Sequence, residues 1–468
     1  MNQKTQLLKN TIIIALGKLG TQIVSFLLLP LYTSKLTTEE YGTYDFLVTL
    51  SVFLLPIITL LIEESMFRFL IDAETQKDKK RIITGTIIYM IFGTIVFSII
   101  ASIYTAITGY EYGPLFIIFV ISNILVSISN SLSRGMGKIK AYSASNFILG
   151  ALTIILNIVF IASLNMQAKG LLWANTIANT ITAVLVLSVL KAHKFISRKN
   201  FSRRKLKEMI KYSFPLVPNN LSWIIISLSD RLMLTWITGS DQNGIYSVAN
   251  RFPNIIYTCY GFFSTAWKES AARIVKEENK VEYYNTIYKD MKNFLKAITM
   301  GLIAVMPFAF SLFIKENYSD AYSYIPILAI GIYYANMSNF YGGIFTAFKN
   351  TKIMGSTTAI GAIINVGINL VFMNIYPKNG ILIATLSTLI STLVVYIYRR
   401  LKLRKHIILK ESFNLTYWSL LALTLCSYYI NNKIFCGGVL IVDVLYCYFT
   451  NKSFLLGTLK SVKGKFKK

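Results

Sequence analysis

Residues 82–106 read IITGTIIYMIFGTIVFSIIASIYTA, twenty-five positions without a charged side chain. Four basic residues, Lys77, Lys79, Lys80 and Arg81, precede them closely, and the connection that follows, Thr108 to Gly113, carries none. As a helix rising ~1.5 Å per residue, such a run is long enough to cross a hydrocarbon core of ~30 Å. Only helices and closed barrels satisfy every backbone N–H and C=O in lipid, and an unbroken apolar run of this length fits the helix. The lopsided flanking charge gives the helix a direction, because cytoplasmic loops gather lysine and arginine.

The same block recurs along the 468 residues, of which 54% are hydrophobic and 15% charged, with mean hydropathy +0.53. The expected spans are 10–33, 41–64, 82–106, 114–134, 142–165, 170–190, 212–238, 244–267, 291–314, 322–347, 353–376, 379–398, 413–431 and 434–450. That makes an all-α, polytopic membrane protein of about fourteen transmembrane helices. The first block, Thr11 to Leu31, lacks a small-residue cleavage site and reads as a retained helix. Basic residues alternate between connections, with about 40 on one side against about 5 on the other. Both termini and the long loops are therefore expected in the cytoplasm, and the protein in the cell membrane. This placement also accounts for the net charge of +27, which needs no nucleic-acid partner.

Soluble chemistry finds no foothold. The sequence holds no GxxxxGK[ST] phosphate loop and no HExxH zinc motif. Cys259, Cys426, Cys436 and Cys447 have no metal or redox spacing, and His193 and His406 lie in basic loops. The outer connections, such as Gly239 to Gly244, are too short for a catalytic loop. No catalytic residue, cofactor or metal is expected, and the chain does not read as an enzyme.

The halves resemble each other. Tyr41-Gly42-Thr43-Tyr44 returns as Asn243-Gly244-Ile245-Tyr246, Gly150 to Phe160 as Gly361 to Phe372, and Gly170 to Ala174 as Gly380 to Ala384. The offset is nearly constant, about 200 to 210 positions, as expected of a duplication. Six helices per repeat is an even number, so both copies enter from the same side, which makes the repeat parallel. The expected organisation is an N-terminal six-helix lobe over 1–195, a C-terminal six-helix lobe over 196–402, and two additional helices with a basic tail over 403–468. Proteins of this plan bind their substrate between the lobes and rock them.

Polar residues mark helix faces. Ser247, Arg251, Asn254, Thr258, Gly261, Thr265 and Lys268 follow one another at steps of three or four, one face of the eighth span. The second span offers Asp45, Thr49, Thr59 and Glu63; the first Lys18 and Gln22; the seventh Ser213, Asn220, Ser227 and Arg231. Pro215 and Pro218 are expected to bend the start of the seventh span. A lipid-facing charge costs several kcal/mol, so these faces should turn to a bundle interior or a wet cavity. The serines and threonines serve equally as glue between helices. Asp230 beside Arg231 reads as a local pair near the outer boundary. Lys18, Gln22, Asn220, Arg231, Arg251, Asn254 and Lys268 are the candidate substrate-binding residues; Asp45, Glu63 and Asp230 are the candidate coupling or cavity-lining residues. Arginine forks match phosphate oxygens, so an anionic headgroup is the natural cargo.

Lys9 to Lys18, Phe26-Leu27-Leu28-Leu29-Pro30-Leu31-Tyr32 and Glu39-Glu40-Tyr41-Gly42-Thr43-Tyr44 resemble the N-terminus of the Wzx-type polysaccharide flippases, which share a superfamily with MATE multidrug exporters and lipid II flippases. The resemblance implies an undecaprenyl-pyrophosphate-linked oligosaccharide as cargo, carried to the outer leaflet for capsule, exopolysaccharide or O-antigen assembly. It further implies partners among membrane lipid and the polysaccharide polymerase and chain-length machinery, and a cationic cavity to which Lys18 and Arg251 contribute. The second span has no arginine before Arg68, which departs from the lipid II flippases. The alternative reading is an ion-coupled exporter of drugs or small cations, which would want carboxylates such as Asp45 and Glu63 to dominate the cavity.

Overall fold

In the computed structural model, residues 28–274, 277–348, 350–410 and 414–466 are described, and among them seventeen α-helices and no strand are found. The chain divides into two compact units, one ending at Thr235 and the other beginning at Trp236. In the first unit the helices are α1 (Leu29–Lys35), α2 (Thr38–Thr59), α3 (Ile62–Ile71), α4 (Gln76–Thr108), α5 (Gly113–Gly135), α6 (Ile139–Asn157), α7 (Gln167–Val189), α8 (Arg203–Ser213) and α9 (Leu216–Met233). In the second they are α10 (Ser240–Arg251), α11 (Asn254–Ile274), α12 (Lys280–Phe313), α13 (Ala321–Ala347), α14 (Thr351–Ile375), α15 (Gly380–Leu403), α16 (Leu415–Ile430) and α17 (Lys433–Phe466). Nine helices among the described residues are long and apolar enough to cross a membrane. Every expected span after the first overlaps a helix or a broken pair of helices; of the first, only residues from Leu28 onward lie within the described residues.

Local chemistry sets the boundaries. Helix α2 opens with a reciprocal cap: the Glu40 N–H donates to Thr37 Oγ1 at 3.2 Å, and the Thr37 N–H donates to Glu40 Oε2 at 2.9 Å. Two of the four N–H groups orphaned at a helix start are thereby satisfied. The second span is not continuous. Leu60 and Leu61 take left-handed φ values of 46° and 52°, separating α2 from α3. The Leu61 N–H donates to Thr59 Oγ1 at 3.1 Å, which replaces a lost helical bond. Helix α4 presses on this break through Gly93, where a Cβ would stand 2.6 Å from the Ile58 carbonyl oxygen.

The eighth span breaks as well. Phe252 and Pro253 interrupt it between α10 and α11, because proline lacks the N–H that the helix ladder needs. The seventh begins at Leu216, right after Pro215, with the basic amphipathic α8 before it.

Burial separates lipid-facing from interior helices. Along α4, Ile91, Ile95, Ile99 and Ile103 are more than half exposed, at the i, i+4 spacing of a stripe meeting lipid. Helix α13 is the reverse, buried on most sides against α11 and α15. There Phe263, Trp267 and Phe340 stack, the Trp267 and Phe340 centroids 4.4 Å apart, and the indole N–H donates to the Phe340 carbonyl at 3.0 Å. Arg399 of α15 is fully buried and donates to the Ser338 and Met354 carbonyls and to the Thr357 and Thr358 hydroxyls, at 2.8–3.2 Å. Helices α16 and α17 pack on α12, and the Tyr322 and Tyr428 rings stack at 4.1 Å.

Asparagines link neighbouring helices inside each unit. Asn179 donates to Ser122 and Asn123, joining α7 to α5, and Asn365 donates to Ser387 and Thr388, joining α14 to α15. Such amide bridges hold helices together where apolar burial gives no preference between partner and lipid.

Candidate functional site

Two of the candidate residues, Asp45 and Arg231, meet in the first unit. Helix α9 lies along α2. Across that interface the Arg231 Nε–H donates to Asp45 Oδ2 at 2.5 Å, with the two side chains only 11% and 9% exposed. Arg231 Nη1 also donates to the Ser227 carbonyl at 3.1 Å and to its hydroxyl at 2.7 Å, one turn back. Asp230, next in the chain, is buried. Asp45 is thus a carboxylate brought to Arg231 from another helix. An arginine can face several acceptors at once because its donors are spread over a planar fork.

The floor of this region is aromatic and amide. The Tyr32, Tyr41 and Tyr44 rings succeed one another at 5.9 and 6.2 Å, and Asn175 of α7 donates to the Tyr44 hydroxyl at 3.1 Å. Tyr41 and Gly42, the centre of the Glu-Glu-Tyr-Gly segment, are buried, while Glu40 closes the cap. That segment thus fixes the start of α2 and, one turn on, the position of Asp45.

Glu63 lies elsewhere on the same span, beyond the Leu60–Leu61 break. It is buried at 5% exposure, and the Thr59 hydroxyl sits 3.4 Å from its Oε1. Asn220, near the start of α9, is exposed.

The residues expected on the eighth span belong to the second unit. Ser247 is buried, Arg251 half-buried and Asn254 exposed. Phe252 and Pro253 separate Arg251, at the end of α10, from Asn254, at the start of α11. Lys18, Gln22 and the Lys268 side chain lie outside the described residues. Spacing alone missed the Asp45–Arg231 contact, because it joins residues 186 positions apart.

The family profile described as "Polysaccharide biosynthesis protein" matches residues 7–267. The chain belongs to that family. The match covers the first unit from residue 7 onward with its Asp45–Arg231 contact, together with Arg251 and α10 in the second. An uncharacterized membrane protein of Methanocaldococcus jannaschii is 23% identical to this polysaccharide biosynthesis family member over 431 residues, 86% of this chain and 100% of the relative. Among solved structures, the lipid II flippase MurJ in an inward closed conformation superposes with a TM-score of 0.74 at 14% identity, covering 96% of this chain and 100% of that one. An inward-facing multidrug resistance MATE family transporter of the MOP superfamily gives 0.68 at 15% identity, covering 82% and 95%. These likenesses establish the fold: a polytopic helical membrane protein of the kind seen in MurJ and MATE.

Proposed function

We propose that this protein is a flippase, not an enzyme, and that it moves undecaprenyl-pyrophosphate-linked oligosaccharide from the cytoplasmic to the outer leaflet of the cell membrane by alternating access. Membership of the polysaccharide biosynthesis family over residues 7–267 carries this reading. The matched stretch contains the cationic candidates Lys18, Arg231 and Arg251, as an anionic pyrophosphate headgroup requires. The lobes 1–195 and 196–402 would be the moving bodies, with both termini in the cytoplasm.

In this scheme Asp45 and Arg231 form a contact that cargo competes for. A pyrophosphate diester offers the arginine fork more acceptor oxygens than one carboxylate. Asp45 then holds Arg231 in place while the site is empty and neutralises it in the low-dielectric interior. Two negative charges moving outward gain ~2.3 kcal/mol each per 100 mV of inside-negative potential. If cationic side chains neutralise the load, the same potential returns the empty site inward. Neither route needs ATP.

The buried Glu63 carboxylate favours a second reading, export of a cation or drug coupled to an ion. Deleting the gene and measuring lipid-linked oligosaccharide and surface polysaccharide separates the two. The flippase reading expects intermediates to accumulate and surface polymer to fall, with rescue by wild type and failure of rescue by Arg251→Ala or Lys18→Ala. Unchanged polymer together with raised sensitivity to cationic drugs would replace it with the exporter.

A further inference from the structure

The second unit contains a basic and aromatic cleft that none of the candidate site residues lines. Its outer part, about 850 Å³, is lined by Lys289, Lys292, Lys296, Lys410 and Asn414, with Glu278 and Glu282 at the start of α12. Its inner part, about 410 Å³, shares Lys292, Lys296 and Asn414 and adds Arg400, Tyr334 and Trp418. The shared residues make the two parts one continuous cleft.

The cleft is built from the N-terminal half of α12, the C-terminal end of α15, the start of α16 and a tethered loop. Asn285 of α12 accepts from the Lys410 N–H at 2.6 Å and donates to the Ile408 carbonyl at 3.4 Å, which ties the loop after α15 to the side of α12. Asn414 caps α16 by accepting from the Tyr417 N–H at 3.0 Å, and it donates to the Tyr446 hydroxyl at 3.0 Å. The partial positive charge of a helix N-terminus is thus added to the cationic wall. Lys296 is 7% exposed, and its ammonium stands 3.8 Å over the Tyr417 ring and 5.9 Å from Trp418. Glu282 precedes Lys292 by almost three helical turns, ~15 Å along the axis, so the acidic residues occupy the far end of the cleft.

Depth selects the ligand. Helix α12 has 34 residues, about 50 Å, and exceeds a ~30 Å hydrocarbon core. Counted back from Phe313, Lys296 falls ~25 Å along the axis and Lys292 one turn beyond, at headgroup level. Arg400 stands near the C-terminal end of α15, and Trp418 in the first turn of α16, a usual place for interfacial tryptophan. Toward the bilayer the walls turn aliphatic and aromatic, with Leu393 and Ile397 on the cleft and Ile397 and Trp418 45% and 40% exposed. A cationic mouth with an apolar exit at this depth matches a phosphate attached to acyl chains.

We propose that this cleft is a binding site for an anionic glycerophospholipid, with its phosphate among Lys292, Lys296 and Arg400 and its acyl chains leaving past Ile397 and Trp418. Basic pockets between helices at the headgroup level recognise such lipids by charge, each cation adding to the attraction. This ligand would hold α12, α15 and α16 together and is separate from the transported cargo.

The test uses the purified full-length chain and native mass spectrometry with phosphatidylglycerol, phosphatidylcholine of the same acyl chains, and inorganic pyrophosphate. Phosphatidylglycerol should be retained over phosphatidylcholine. The double variant Lys292→Ala/Arg400→Ala should weaken phosphatidylglycerol binding roughly thirtyfold, the equivalent of ~2 kcal/mol for two cations. The double variant Lys194→Ala/Lys199→Ala, with the same loss of charge in the first unit, should bind like wild type. Lys292→Arg should keep the preference, which distinguishes lost recognition from lost folding. Equal retention of the two lipids, or a preference that survives Lys292→Ala/Arg400→Ala, would overturn the proposal. Displacement of phosphatidylglycerol by equimolar pyrophosphate would also overturn it, because the site would then recognise a free anion.

Discussion

Arg231 on α9 donates to Asp45 on α2 at 2.5 Å, and both side chains are about nine-tenths buried. Burying either charge alone costs several kcal/mol, and the pair exists because each makes the other tolerable. The contact joins two helices that each begin at a sequence-coded signal: the Thr37–Glu40 reciprocal cap for α2 and Pro215 for α9.

Breaking this pair from one side should be worse than inverting it. Asp45→Ala or Arg231→Ala leaves an uncompensated buried charge and is expected to destabilise by ~3–5 kcal/mol. The exchange Asp45→Arg/Arg231→Asp should recover at least half of that loss. Thermal unfolding of the purified variants measures it, and an exchange no better than the single substitutions would show that the two side chains do not act as a pair.

The spans were legible in the sequence because a lipid-embedded backbone must form long uninterrupted helices, and 82–106 lies within α4 as read. The break at Leu60–Leu61 was not legible, since neither leucine signals a left-handed conformation and Pro56 sits a turn earlier without ending α2. At Phe252–Pro253 the signal was present in Pro253, but the regular polar spacing on either side concealed it. Arg231 was legible as a buried cation. Its contact with Asp45 was not, because helix packing brings that carboxylate from a distant part of the chain. The basic–aromatic cleft escaped for a related reason: Lys296, Arg400 and Asn414 lie on three separate elements, and no spacing connects them.

Arg399 makes a contrasting case, a fully buried cation held by carbonyls and hydroxyls. Its donors reach the Ser338 and Met354 carbonyls and the Thr357 and Thr358 hydroxyls, so it bridges α15 to α13 and α14. Arg399→Lys keeps the charge and loses the fork, and is expected to destabilise by about 2–3 kcal/mol as acceptors go unmet. If Arg399→Lys unfolds within a degree of wild type, the fork geometry is not what holds these helices.

Glycine at the α2–α3 break is a steric requirement. Gly93→Ala would place a Cβ 2.6 Å from the Ile58 carbonyl oxygen, which can move only with its backbone. Overpacking of this kind costs about 1–3 kcal/mol. At Gly301 on α12 nothing lies within 4 Å of the added carbon, so Gly301→Ala should be neutral or stabilise by up to ~1 kcal/mol through helix propensity. Parallel melting curves of the two variants check the contrast. Equal effects would mean that the approach of α4 to the break is loose.

The last two helices pose a question of role. Asp443 on α17 is 1% exposed; its Oδ2 accepts from the Thr424 hydroxyl of α16 at 2.7 Å, and its Oδ1 has no hydrogen-bond partner among the described residues. A bond of this kind either glues α16 to α17 or holds a carboxylate for transport, and the two roles predict different responses to a paired substitution. Thr424→Val alone strands the carboxylate and should cost about 1–3 kcal/mol. Replacing both partners by apolar groups of similar shape, Thr424→Val/Asp443→Leu, should be close to neutral, because nothing polar is then left buried. Structural glue therefore expects the double variant to melt near wild type and to restore surface polysaccharide in a deletion strain. A double variant that is stable yet fails to restore polymer would instead make Asp443 a working carboxylate of the transport cycle.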